Sequence, residues 1–146
     1  MKKLIIIALS LCVFASCKKS SETPTPNNPS TGPRSFTCNL GATAYVADSA
    51  WYNISNGGFN IFASKGIGAT WQYFEINLNA QTASTYAIPA NAFTYLTSTT
   101  TYVGASGSLT VTSYDAVNRK ISGTFTSVGA GALTISGGTF TSLPFK

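Results

Sequence analysis

The chain has 146 residues, of which only 9% are charged, and it contains no histidine. That excludes histidine-dependent triads, imidazole proton shuttles and His metal sites. The formal charge of +5 does not indicate nucleic acid as a partner: Lys2, Lys3, Lys18 and Lys19 precede the domain, and from Arg34 onward five basic residues face three acidic ones, 5 − 3 = +2, with no cluster of cations for phosphates.

Met1, Lys2 and Lys3 form a positive start, and Leu4 to Ala15 form an apolar run shorter than the ~20 residues a membrane-spanning helix needs. Residues 1–16 therefore read as a signal peptide. Phe14, Ala15 and Ser16 ahead of Cys17 resemble a lipobox, with Phe14 where leucine is usual. The resemblance implies that Cys17 becomes a lipidated N-terminus. A diacylglyceryl thioether and an N-acyl chain would then hold the protein to a membrane, since each buried methylene is worth about 0.8 kcal/mol and more than one chain is needed for lasting attachment. Residues 17–34 carry Pro24, Pro26, Pro29 and Pro33 among Ser, Thr and Asn, a composition that buries no apolar surface and reads as a disordered tether. Residues 35–146 are then a single domain, a size able to enclose one core.

Within the domain, Phe36 to Leu40 and Thr43 to Ala47 read as strands about a turn at Gly41 and Ala42. Asp48 and Ser49 break the run. Ala50 to Ile54 and Gly58 to Ala63 form a hairpin about Ser55, Asn56 and Gly57, because an Asn-Gly-Gly run suits a tight reversal. Gln72 to Asn77 alternates on both faces: Phe74, Ile76 and Leu78 share one, Trp71, Tyr73, Glu75 and Asn77 the other. Short strands are expected around Tyr86, Ile88, Phe93, Tyr95 and Leu96. No capped amphipathic helix is present.

From Ser108 to Phe140 the pattern is a double hairpin. Leu109 and Val111 alternate with Thr110 and Thr112, and Ile121, Gly123 and Phe125 with Ser122, Thr124 and Thr126. Placing the apolar sets opposite one another calls for a loop with an odd number of residues between Asp115 and the next strand, with Asn118 as its left-handed residue. A second turn at Gly129 to Gly131 leads to Leu133 and Ile135. Phe140 falls on the wrong parity unless Gly137 and Gly138 form a bulge. The fold class that follows is all-β, an antiparallel β-sandwich or barrel of short strands.

Cys17 with Lys18 and Lys19, the Pro-rich tether, Ile121-Ser122-Gly123-Thr124-Phe125, Ile135 to Phe140 and Tyr86-Ala87-Ile88-Pro89 together resemble an uncharacterised family of Bacteroidota lipoproteins. The resemblance spans about Phe36 to Phe145 and implies a lipid-anchored β domain of the cell envelope, on the periplasmic face of the outer membrane or the cell surface. It brings no active site.

The candidate chemistry is sparse. Cys38 is the only cysteine in the domain and alternates with Phe36 and Leu40, so it reads as a buried apolar residue. Asp48, Glu75 and Asp115 are isolated, whereas a glycosidase needs two facing carboxylates and calcium needs more oxygen ligands. No catalytic residue, metal ligand or cofactor is expected. Trp71, Tyr73, Glu75 and Asn77 combine rings with hydrogen-bonding groups, as a glycan platform would. The simpler expectation is that this face packs on a second sheet while Phe74, Ile76 and Leu78 meet a loop or the far side of a barrel. Asp48-Ser49-Ala50 resembles a short O-glycosylation acceptor, which would place a glycan on Ser49. The first reading of function is a lipid-anchored, non-catalytic envelope domain that contacts another protein or a glycan. The second is a carbohydrate-binding module centred on Trp71 and Tyr73, and the third a hydrolase with an unrecognised site.

Overall fold

The computed structural model describes residues 33–146, so the signal peptide, Cys17 and the tether up to residue 32 lie outside the described residues. Ten strands follow in order: β1 (Ser35–Leu40), β2 (Thr43–Val46), β3 (Ser49–Ser55), β4 (Gly58–Lys65), β5 (Gln72–Asn77), β6 (Thr85–Ile88), β7 (Ala92–Thr97), β8 (Thr101–Asp115), β9 (Lys120–Gly129) and β10 (Thr134–Pro144). They form one sheet in the order β2-β1-β10-β9-β8-β7-β5-β4-β3, with β6 attached to β8. The antiparallel sheet curls into a half-barrel, as the all-β reading expects. The tail then brings the end of β10 to β3: Phe145 bridges Tyr52 in parallel, and the Lys146 N–H donates to the Tyr52 carbonyl at 2.9 Å.

The turns follow local chemistry. In the β3–β4 hairpin Ser55 opposes Gly58, and Asn56 and Gly57 have φ of 53° and 79°, both in the left-handed region that a two-residue type I′ turn requires. The β8–β9 loop departs from expectation. Asp115 pairs with Lys120, leaving Ala116 to Arg119 as an even-numbered loop, and the left-handed residue is Arg119 at φ 52°, not Asn118. Asn118 is otherwise engaged. Asp115 accepts from the Val117 and Asn118 N–H groups at 3.0 and 2.9 Å and from Asn118 Nδ2 at 2.7 Å, which holds those residues in the turn and moves the reversal one place on. The parity is corrected inside the ladder, where a bulge between Val111 and Ser113 makes Thr112 the extra residue. Leu109 thereby faces Phe125, and Val111 faces Gly123.

The glycine bulge in β10 forms where expected. Ile135 pairs with Ser127 and Gly138 with Phe125, Gly137 takes φ 58°, and Phe140 comes to the buried side. β8 is the element the sequence under-reads. It runs for 15 residues, pairs at its start with β7 and further on with β6, and bends at a second irregularity between Gly104 and Ser106. One long bent strand thus carries the chain from one side of the curl to the other.

The concave face is filled by aromatic rings. Phe36 lies 5.0 Å from Phe125 and 5.2 Å from Phe74, and Phe74 lies 4.8 Å from Tyr95. Fully burying such a ring is worth about 1.5–3 kcal/mol. Phe74, Ile76 and Leu78 are all buried here. Cys38 is buried as well, and burial pushes its thiol up to about 12.

Candidate functional site

With Phe74, Ile76 and Leu78 committed to the core, the alternation of β5 sends Trp71, Tyr73, Glu75 and Asn77 to the convex side. The expectation that this face packs on a second sheet is therefore corrected: all four residues are partly exposed. The physical reason is the curl of a single sheet. One concave face encloses the core, and among the described residues no second layer covers the convex one.

Register across the strands assembles more of this face than β5 alone carries. Trp51 of β3 opposes Phe62 of β4, which opposes Glu75 of β5. Asn53, Asn60 and Asn77 form the next row, and Ser49, Ser64 and Tyr73 the row on the other side. Trp71 is placed by a single 3-10 turn at Gly68–Thr70, its N–H donating to the Gly68 carbonyl at 3.2 Å. Four rings adjoin: Trp71–Tyr73 at 5.5 Å and 14°, Tyr73–Phe62 at 6.2 Å and 31°, Phe62–Trp51 at 5.6 Å and 25°, and Tyr73–Trp51 at 6.5 Å and 54°. Nearly parallel rings at 5.5 Å must overlap partly face to face, because rings side by side in one plane would collide at that spacing. The row therefore resembles tilted slabs, which offer their edges to solvent.

Polar groups border the rings. Asn60 Nδ2 donates to Asn53 Oδ1 at 3.0 Å, and Asn77 Nδ2 donates to Glu75 Oε1 at 3.0 Å. Lys146 Nζ lies 4.3 Å from the centre of the Trp51 ring, a cation over an aromatic face. Burial first, and then the nearby Glu75 charge, raises the Tyr73 phenol above its ordinary value. The site thus combines ring edges, amides, one carboxylate and one ammonium.

The other predicted positions are dispersed. Ser49 opens β3 on this same convex face, separated from Tyr73 by Ser64. Asp48 accepts from the Gly66 N–H at 2.8 Å, and Asp115 holds its own turn. Each carboxylate thus serves a local bond, and among the described residues no three His, Cys, Asp or Glu gather as a metal site would require. Phe62, Asn53, Asn60 and Lys146 were missed from sequence. Counting back from the Asn56-Gly57 turn would have paired Trp51 with Phe62 and Asn53 with Asn60. Nothing in the sequence signals that Lys146 reaches Trp51.

A second surface covers the convex side of the C-terminal strands. Thr85, Thr110, Thr124, Thr139 and Thr37 stand in register on five neighbouring strands. Beside Thr124 a shallow groove of about 240 Å³ runs over Gly137 and Gly138 between Ser108, Thr110, Thr126 and Thr139. The hydroxyls bond one another at 2.9 Å in Thr37–Thr139 and Thr85–Thr110, and the groove carries no titratable group. No family model, no curated protein and no solved structure matches this chain.

Proposed function

We propose that this protein is a lipid-anchored, non-catalytic binding domain of the cell envelope, held to the outer membrane through Cys17, and that it meets its partner with the convex face of β3, β4 and β5. The observation that carries the reading is the row Trp71, Tyr73, Phe62 and Trp51, four large rings kept partly exposed on a face the core does not need. Contiguous exposed aromatic surface edged by polar groups is characteristic of recognition sites. The separate local roles of Asp48, Glu75 and Asp115 support a domain without catalysis. The leader, the lipobox-like residues and the tether support the anchor and the kinship with Bacteroidota lipoproteins.

A second reading, a carbohydrate-binding module, is favoured by the partly exposed Asn53, Asn77 and Glu75 beside the rings, since sugars need hydrogen-bond partners as well as apolar contact. The test is co-sedimentation with isolated envelope fractions of the same organism. In an unlipidated Cys17→Ala background the chain should pellet with one fraction, and the same chain carrying Trp51→Ala/Trp71→Ala, still folded by circular dichroism, should stay in the supernatant. Undiminished pelleting of that variant would place the binding surface elsewhere.

A further inference from the structure

We infer that the occupant of this convex face is an acidic glycan, lying across the ring row with a carboxylate of one sugar against Lys146. The inference rests on the binding-face reading above and names the chemistry of the ligand. Three observations carry it. The first is how the rings stand. An aromatic ring is electron-rich on its faces and electron-poor at its edge. Because Trp71 and Tyr73 form an offset stacked pair, as do Phe62 and Trp51, each ring covers part of its neighbour's face and leaves edge uncovered. Edges of that polarity attract oxygen atoms. A ligand dense in hydroxyl and carboxylate oxygens suits them better than the apolar side chains of a protein partner.

The second observation is the row of amides. Asn53, Asn60 and Asn77 stand side by side on three strands, one step along the sheet from Trp51, Phe62 and Glu75. Each carboxamide has more donor and acceptor positions than the single bonds Asn60–Asn53 and Asn77–Glu75 occupy. The remaining positions of Asn53 and Asn77, both partly exposed, can serve ligand hydroxyls, while the buried Asn60 braces Asn53.

The third observation is charge. Lys146 is fixed by its own backbone, its N–H bonded to the Tyr52 carbonyl at 2.9 Å, and its ammonium rests over Trp51 at 4.3 Å. Among the described residues it makes no ion pair. Glu75 stands one strand beyond Phe62 and is bonded to Asn77. The cation is therefore at the Trp51 end and the anion inside the row. A carboxylate-bearing sugar meets attraction at the first and must turn a hydroxyl to the second. Ammonium to carboxylate is the stronger kind of hydrogen bond, so an acidic sugar gains there what a neutral one does not.

Both tryptophans of the chain belong to this face, so intrinsic emission reports on it directly. The experiment titrates the full lipidated chain, in non-ionic detergent micelles, with hexamers of galacturonate, guluronate and glucuronate, and with neutral hexamers of glucose and mannose. At least one acidic hexamer should change the emission and bind at least tenfold more tightly than the neutral ones, with affinity falling as salt rises. Lys146→Gln should remove that tenfold preference and the salt dependence, and Lys146→Arg should keep both. Equal binding of neutral and acidic hexamers overturns the acidic assignment while leaving a glycan on the face, and an unchanged preference in Lys146→Gln overturns the contact between the carboxylate and Lys146. No response to any hexamer, combined with Trp71-dependent pelleting with an envelope protein, overturns the glycan and retains the binding face. Loss of that pelleting dependence as well overturns the face itself.

Discussion

The assignment of inside and outside on β5 can be tested with two neighbouring aromatics. Phe74 is fully buried and has five ring partners, Phe36, Tyr45, Phe93, Tyr95 and Phe125, at 4.8 to 6.2 Å. Rings packed this way cannot collapse into the space that Phe74→Ala would open, so the loss should be about 3–5 kcal/mol. That is a large part of the roughly 5–15 kcal/mol that holds a domain together. Trp71, three residues earlier, is partly exposed and stacks on Tyr73 alone at 5.5 Å. Trp71→Ala should cost about 1–2 kcal/mol, from one aromatic pair and part of a side chain's burial. Urea unfolding followed by far-ultraviolet circular dichroism measures both, and the slopes should stay alike, since the surface exposed on unfolding barely changes. Equal costs for the two variants, or less than about 2 kcal/mol for Phe74→Ala, would refute the orientation and with it the exposed ring row.

Four further outcomes follow from other parts of the chain. Cys17→Ala should leave the protein unlipidated, and labelled palmitate still incorporated by that variant would remove the anchor. Gly138→Ala places a Cβ 2.5 Å from the Phe125 ring and 2.6 Å from its carbonyl oxygen, so the β10 bulge must shift, and overpacking of this kind costs about 1–3 kcal/mol by the same urea assay. Tyr45 buries a hydroxyl that has no hydrogen-bond partner among the described residues, so Tyr45→Phe should match or exceed the wild-type unfolding midpoint; a clear loss would reveal a partner for that oxygen. The Asp115 carboxyl is held below its ordinary value, first by the Asn118 N–H, then by the Asn118 side chain and the Val117 N–H. A lowered folded value means that its contribution is complete above the ordinary carboxylate range and fades as pH falls through the lowered value. Protection of the Val117 and Asn118 amides, taken relative to the intrinsic exchange rate at each pH, should therefore fall at acid pH in the wild type and be lost already at neutral pH in Asp115→Ala.

How much of this was legible depended on whether the deciding contact is local. β5 was readable to its ends because Gln72 to Asn77 alternates without interruption; the β3–β4 hairpin was readable from its Asn-Gly-Gly run, but Ser55, expected in the turn, pairs with Gly58 and leaves only Asn56 and Gly57 to reverse the chain, which sets the register. The first half of β8 was not, since from Thr101 to Gly107 only Gly104 is buried and no apolar period forms. Which side of β5 faces inward was undecidable from the strand itself, because both sides carry aromatics. That choice belongs to the sheet as a whole: a curled single layer has one enclosed face, and Phe74 rather than Tyr73 meets Phe36 and Phe125 there. Lys146 is the extreme case. Its position over Trp51 follows from a sequence separation of 95, 146 − 51 = 95, closed by the fold, and no window of sequence contains it.

That closure ties the stability of the fold to the composition of its convex face. The Arg119 guanidinium lies 3.6 Å from the centre of the Phe145 ring, the Phe145 N–H donates to the Arg119 carbonyl at 3.2 Å, and Phe145 in turn bridges Tyr52. The β8–β9 turn thus grips the tail, and the tail delivers Lys146 to Trp51. Arg119→Ala removes the cation from the Phe145 ring without touching the face itself. If the tail is held this way, that variant should loosen Lys146, whose N–H bond to Tyr52 remains, and partly weaken any ligand that depends on its ammonium, while Trp71 and Tyr73 keep their stacking. Arg119→Ala then adds nothing further to Lys146→Gln, because the turn acts on the ligand only through that ammonium. Losses that simply add would show that the turn and the lysine act independently, since only residues acting through one contact are non-additive.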